Sequence, residues 1–261
     1  MDSDINHFNQ AGFEVQATSA EAMDRSVRPY ADRCVPEALA GAELICLVRD
    51  PSGAELWIGL RKLGNGELEL ASLNPAFAGE GRARVEIVGD ASDPLWKPFE
   101  IAVTARFAGE EVPLVFDLAD PRQAAQAKPG KALAVSLAGF SFDARIFKDE
   151  KGYYAAQKKN GVKVAFAANH FIPSGMFNAE SGGKADSDAP TAYADLAGTV
   201  LKSEFRSNSI GGGRFWWALV RTHGGHTIDV VLHPSQVKLK PAPGAVVSGR
   251  FWLTGRLVSQ P

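Results

Sequence analysis

Short apolar blocks separated by Gly, Pro, Asn and Asp run through most of this chain, the punctuation of strands joined by turns. The clearest case is residues 215–232, FWWALVRTHGGHTIDVVL, in which two β-rich runs flank His223-Gly224-Gly225-His226. A Gly-Gly pair in that place predicts a hairpin, because both central residues of a type I′ turn need positive φ. Upstream, apolar runs at 44–48, 56–60, 68–70, 84–88, 99–107, 112–118 and 132–140 predict further strands. Asp50-Pro51-Ser52-Gly53, Gly64-Asn65-Gly66 and Pro129-Gly130 are the turn signals between them. A hairpin-like pair is expected around residues 148–152, and a last upstream strand at 165–172. Helix is sparse. Thr18 and Glu21 have capping-box spacing ahead of a short helix that should end near Pro29, and residues 120–127 read as a second short helix.

At residues 178–189, NAESGGKADSDA, large apolar side chains disappear and Gly and charge accumulate, which predicts a linker or surface loop. Beyond it, runs at 197–205, 215–222, 227–232 and 245–257 form a compact strand set. The expected fold is mainly β: two tandem small β-barrel-like domains, of the five-stranded OB type, behind a short helical N-terminal extension. The expected boundaries are 1–40 for the extension, 41–177 for the first β domain, 178–192 for the linker and 193–261 for the C-terminal domain. An internal match supports the tandem reading. Residues 99–116 lie over 215–232 without a gap at an offset of 116, setting Phe99 on Phe215, Val103 on Leu219, Gly109 on Gly225, Val112 on Ile228 and Leu114 on Val230. Alternating hairpins match one another by patterning alone, so duplication and coincidence both stay open at this point.

Composition narrows the class without naming an activity. With 45% hydrophobic and 22% charged residues the chain is globular rather than disordered. The formal charge of -2 conceals an asymmetry. Eight Lys and Arg against Glu204 and Asp229 give residues 196–261 a formal +6, leaving -8 for residues 1–195. Two cysteines, Cys34 and Cys46, are too few for a disulfide framework and lack metal-ligand spacing. The acidic start lacks the basic and apolar regions of a signal peptide, and no apolar run is long enough to span a bilayer. A reducing, cytoplasmic setting and no membrane partner are therefore expected.

The candidate chemistry lies at the C-terminal end. In residues 247–257, Val247, Gly249, Phe251, Leu253, Gly255 and Leu257 share one strand face and read as core. Ser248, Arg250, Trp252, Thr254 and Arg256 share the other. That face, with Lys202, Arg206, Arg214 and Trp216 on neighbouring strands, combines cations with aromatic rings. Single-stranded nucleic acid needs such a surface: cations neutralise phosphates and rings stack on bases. The first reading is thus a non-catalytic nucleic-acid-binding protein. Against it stands packing of Trp252 beneath another part of the chain, which favours a structural or protein-interaction module, with the acidic and basic parts docking or building an oligomer. His223 and His226 should face each other across the hairpin, but no third metal ligand accompanies them, so solvated turn histidines are favoured over a metal centre. Enzyme activity would rest on these two residues alone. No nucleophile elbow, P-loop or dinucleotide fingerprint occurs, and no cofactor is expected. Gly211-Gly212-Gly213 and Ser181-Gly182-Gly183-Lys184 read as flexible loops.

Overall fold

The computed structural model describes residues 6–162, 165–176 and 190–259. It is mainly β, built on two sheets. The smaller is an antiparallel meander of β1 (Glu37–Ala40), β2 (Glu43–Arg49), β3 (Ala54–Lys62) and β4 (Leu68–Phe77). It is preceded by α1 (His7–Gln10) and α2 (Ala20–Ala31), the latter capped by Ser19 rather than Thr18 and carrying Pro29 inside it. Cys34, just past α2, is disulfide-bonded to Cys46 on β2, with the two Cα atoms 5.9 Å apart. Such a bond persists in oxidising rather than reducing surroundings, against the reducing setting expected from the sequence.

The larger sheet contains β5 (Ala83–Asp90), β6 (Ala102–Phe107), β7 (Pro113–Leu118), β8 (Ala132–Ser141), β9 (Arg145–Phe147), β10 (Phe171–Pro173), β11 (Tyr193–Ser207), β12 (Arg214–Arg221), β13 (Thr227–Leu232) and β14 (Val246–Val258). Its pairings close on themselves twice. One cycle runs β5-β6-β7-β14-β8 and back to β5. The other runs β11-β12-β13-β8-β14 and back to β11. Each uses one parallel pairing, β7 with β14 or β13 with β8, and both share the long antiparallel pair β8–β14. The expected boundary at 178–192 therefore does not separate two sheets, since β8 on one side is hydrogen-bonded to β13 and β14 on the other. Residues 178–189 themselves lie outside the described residues.

Side-chain alternation explains the layering. The odd-numbered set on β14 does face a core: Val247, Phe251, Leu253 and Leu257 join Val85, Phe107, Phe116, Leu137, Val220 and Val230 in one cluster that fills both cycles. Gly255 is needed where β14 crosses the first cycle, because a Cβ there would overlap the Phe116 ring. A second core lies outside the second cycle. Phe215, Trp217, Leu219, Val231 and Phe140 pack there against Val48, Leu56, Ile58 and Phe77 of the small sheet, together with Phe13 and Tyr30. The run FWWALV is apolar throughout because β12 is buried on both faces.

Three local expectations differ. Residues 148–152 open a helix, α3 (Glu150–Lys159), instead of a hairpin; Asp149 caps it by accepting the Gly152 N–H at 2.8 Å, and Lys158 and Lys159 suit its C-terminal end. Of the strand expected at 165–172, only β10 forms. Gly211-Gly212-Gly213 is a close-packed crossing, not a loose loop: Gly213 N–H donates to the Gly12 carbonyl at 3.1 Å, and Phe13 bridges to Gly212. Among the described residues no helix is long and apolar enough to cross a membrane.

Candidate nucleic-acid interface and neighbouring sites

The seven candidate residues do not form one surface. Trp252 is half-buried. Its Nε1–H donates to Asp117 Oδ2 at 2.6 Å, and its ring stacks on His7 at 5.1 Å and tilts against Phe140 at 5.5 Å. All three partners belong to residues 1–195. Arg256 is ion-paired with Glu55 of β3, whose side chain has no exposed surface and is also held by Arg49 at 2.7 Å and the Trp57 Nε1–H at 3.2 Å. Arg206 lies over the Trp217 ring at 4.0 Å and donates to the Ser52 carbonyl at 2.9 Å. Lys202 is paired with Glu80 at 2.6 Å. Much of the basic face thus docks the front of the chain onto the second cycle. Arg256→Ala should lower stability by about 1–2 kcal/mol, since it strips one cation from a buried carboxylate while Arg49 and Trp57 remain. Urea unfolding measures this, and an unchanged midpoint would contradict the docking role.

Arg214 and Trp216 do come together, Arg214 exposed and Trp216 half-buried with part of its ring against the main core. Trp216 sits opposite Phe205 across β11–β12, ring centroids 5.0 Å apart, and Phe205 keeps 44% of its surface exposed. The Arg214 guanidinium lies 5.3 Å from the Phe205 ring and Lys240 Nζ 5.9 Å from the Trp216 ring. Within residues 196–261 the carboxylates are Glu204, paired with Arg206 at 2.8 Å, and Asp229, which is fully buried, so neither neutralises Arg214 or Lys240. Phe205 and Lys240 were missed by the sequence reading. Phe205 is recoverable from the register, since it pairs with Trp216, but the approach of Lys240 depends on the fold of residues 233–245.

Arg250, the seventh candidate, stands apart. It pairs with Asp195 at 3.6 Å at the edge of a cleft of about 650 Å3 between α3 and the β11–β14 pair.

The histidine tip acquires a partner that its own hairpin could not reveal. Glu110, from the turn between β6 and β7, lies 3.5 Å from His223 Nε2 and 3.9 Å from His226 Nε2. His226 stacks on Phe107 at 4.2 Å, and burial holds its pKa below the ordinary imidazole value despite Glu110. Gly224 and Gly225 both have positive φ, as the turn required. Asp229 faces away, toward Trp217, and among the described residues no group of three or more His, Cys, Asp or Glu is placed to hold a metal.

Compared with known proteins, the sequence matches no family model and no curated protein.

Proposed function

We propose that this is a non-catalytic binding protein that engages single-stranded nucleic acid through Phe205 and Trp216, with Arg214 and Lys240 holding the flanking phosphates. The observation that carries the reading is the cross-strand ring pair of exposed Phe205 and half-buried Trp216, with a cation beside each ring. Base stacking on such rings contributes about 1–3 kcal/mol per base without regard to sequence, and the cations add a salt-dependent share. The two strand cycles fit this role as OB-type barrels, five strands each with one parallel closure, that arose by duplication and share β8 and β14. Of the original stripe, Arg214 and Trp216 stay in the interface; Lys202, Arg206, Trp252 and Arg256 serve internal docking.

Fluorescence anisotropy with labelled single strands across a salt series tests this. Binding should weaken steeply as salt rises. Phe205→Ala should cost about tenfold or more in affinity with little change in stability, and Arg214→Ala should reduce the salt slope by about one. Absence of salt-sensitive binding at low ionic strength would sink the proposal.

A second reading is favoured by a different observation. The Arg256–Glu55 and Lys202–Glu80 pairs join the basic and acidic parts within one chain. If strands do not bind while light scattering reports a defined oligomer, a structural or protein-interaction module is the better description.

A further inference from the structure

We propose that the cleft between α3 and the β11–β14 pair is a separate ligand site for a small zwitterion with an aromatic body: an aromatic amino acid, or a short peptide with free ends. It exists because the outer face of β14 is covered at Trp252 and Arg256 but not at Ser248 and Arg250. Those two residues line it with Tyr193 and Asp195 of β11, while Arg145 of β9 and Tyr153 of α3 complete its walls. Its volume of about 650 Å3 suits a small-molecule site.

The charges choose the ligand. Among the described residues Arg145 and Arg250 face Asp143 and Asp195, two of each sign, a balance that gives them no net charge with which to gather a polyanion. At His170, burial lowers the pKa while the Ala167 carbonyl, 2.8 Å from Nδ1, and the Asp195 charge oppose the shift. Among the described residues the Arg145 side chain makes no hydrogen bond or ion pair. Arg250 and Asp195 meet at 3.6 Å with 61% and 51% of their side chains exposed, a weak pair that a ligand's carboxylate and ammonium can divide between them. Asp143 accepts the Arg250 backbone N–H at 2.8 Å, which fixes the floor without consuming the guanidinium. Tyr193, Phe166 and Met176 remain 40%, 49% and 42% exposed at the walls, apolar surface that an aromatic body would remove from water.

Saturation-transfer NMR and calorimetry on the full chain, with L-phenylalanine, the tripeptide Gly-Phe-Gly, N-acetyl-phenylalaninamide and adenosine monophosphate, provide the test. At least one zwitterion should bind, and comparison of the two distinguishes amino acid from peptide. The blocked amide and the nucleotide should bind at least about tenfold more weakly. Arg145→Gln and Tyr193→Ala should each lower zwitterion affinity about tenfold while leaving the melting temperature and single-strand binding unchanged. No binding of either zwitterion, equal binding of the blocked amide or nucleotide, or indifference to both substitutions would overturn the proposal.

Discussion

Asp229→Ala should destabilise the protein by about 4–5 kcal/mol and leave much of it unfolded at moderate urea. Asp229 is fully buried on the outer face of β13, and three donors converge on its carboxylate: Trp217 Nε1–H at 2.7 Å, Glu80 N–H at 3.0 Å and Gly81 N–H at 2.8 Å. The substitution leaves all three without an acceptor, and each buried orphan costs about 1–3 kcal/mol. Gly79 shows how close the approach is, since a Cβ there would overlap the Asp229 carboxyl group. The loss would also loosen Trp217, over which Arg206 lies, and with it the second core. Asp229→Asn should fall between parent and alanine variant, because the amide keeps one oxygen but turns an N–H toward donors. Urea unfolding by circular dichroism reads the effect. A loss below about 1 kcal/mol would mean that water replaces the carboxylate, which its burial forbids.

Asp229 also marks where sequence legibility ends. Alternation is local, so the core face of β14 and the 215–232 hairpin could be read from residues two apart. What covers Trp252 and Arg256 on the other face of β14 is decided by residues more than a hundred positions away. The same alternation that separated Arg250, Trp252 and Arg256 from the core could not distinguish water from Glu55, His7 and Asp117 as their neighbours. The gap-free match at offset 116 had a similar limit. Ala138 and Thr254, which lie opposite each other in the shared pair, are 116 positions apart. The match fails on the third strand of each cycle. Asp117 is opposite Thr254 and Asp229 opposite Ala138, whereas the offset would set Asp229 on Pro113. Hydrophobic patterning had rewarded the apolar residues and was blind to the buried acids between them. Helix α3 was missed because Gly152 was weighed as a turn residue, although in the first turn, below an Asp149 cap, it is tolerated. The cleft draws on residues from five elements, and no local pattern brings Ser248 and Arg250 of β14 together with Arg145 of β9 and Tyr153 of α3.

Asp117→Asn should stabilise the protein at pH 7.5 by about 2 kcal/mol and leave it nearly unchanged at pH 4. Burial raises the Asp117 pKa from 3.8 to about 6; the hydrogen bond from Trp252 opposes the shift and the nearby Glu100 charge adds to it. A carboxyl group whose pKa is raised by folding binds its proton more tightly in the native state. Its contribution is therefore fully present below about pH 4, is lost as pH rises through about 6, and stays lost above. A shift of about two units bounds the change at roughly 3 kcal/mol, and the charged form's bond to Trp252 is already included in it. Asparagine cannot ionise, yet its side-chain oxygen still accepts the indole N–H, so the variant should keep the high-stability condition at neutral pH. Glu100, also raised by burial, leaves part of the parent's slope in place. Urea midpoints between pH 4 and 7.5, followed by tryptophan emission, decide the matter. The variant's advantage over the parent should grow from near zero at pH 4 to its full size at pH 7.5, on top of the opposite slope that buried His7, His170 and His226 give both proteins. Parallel curves, or a variant weaker at pH 7.5, would show that Asp117 remains ionised beside Trp252 at no cost, and that the contact between β14 and β7 is wetter than the packing of His7 and Phe140 around Trp252 implies.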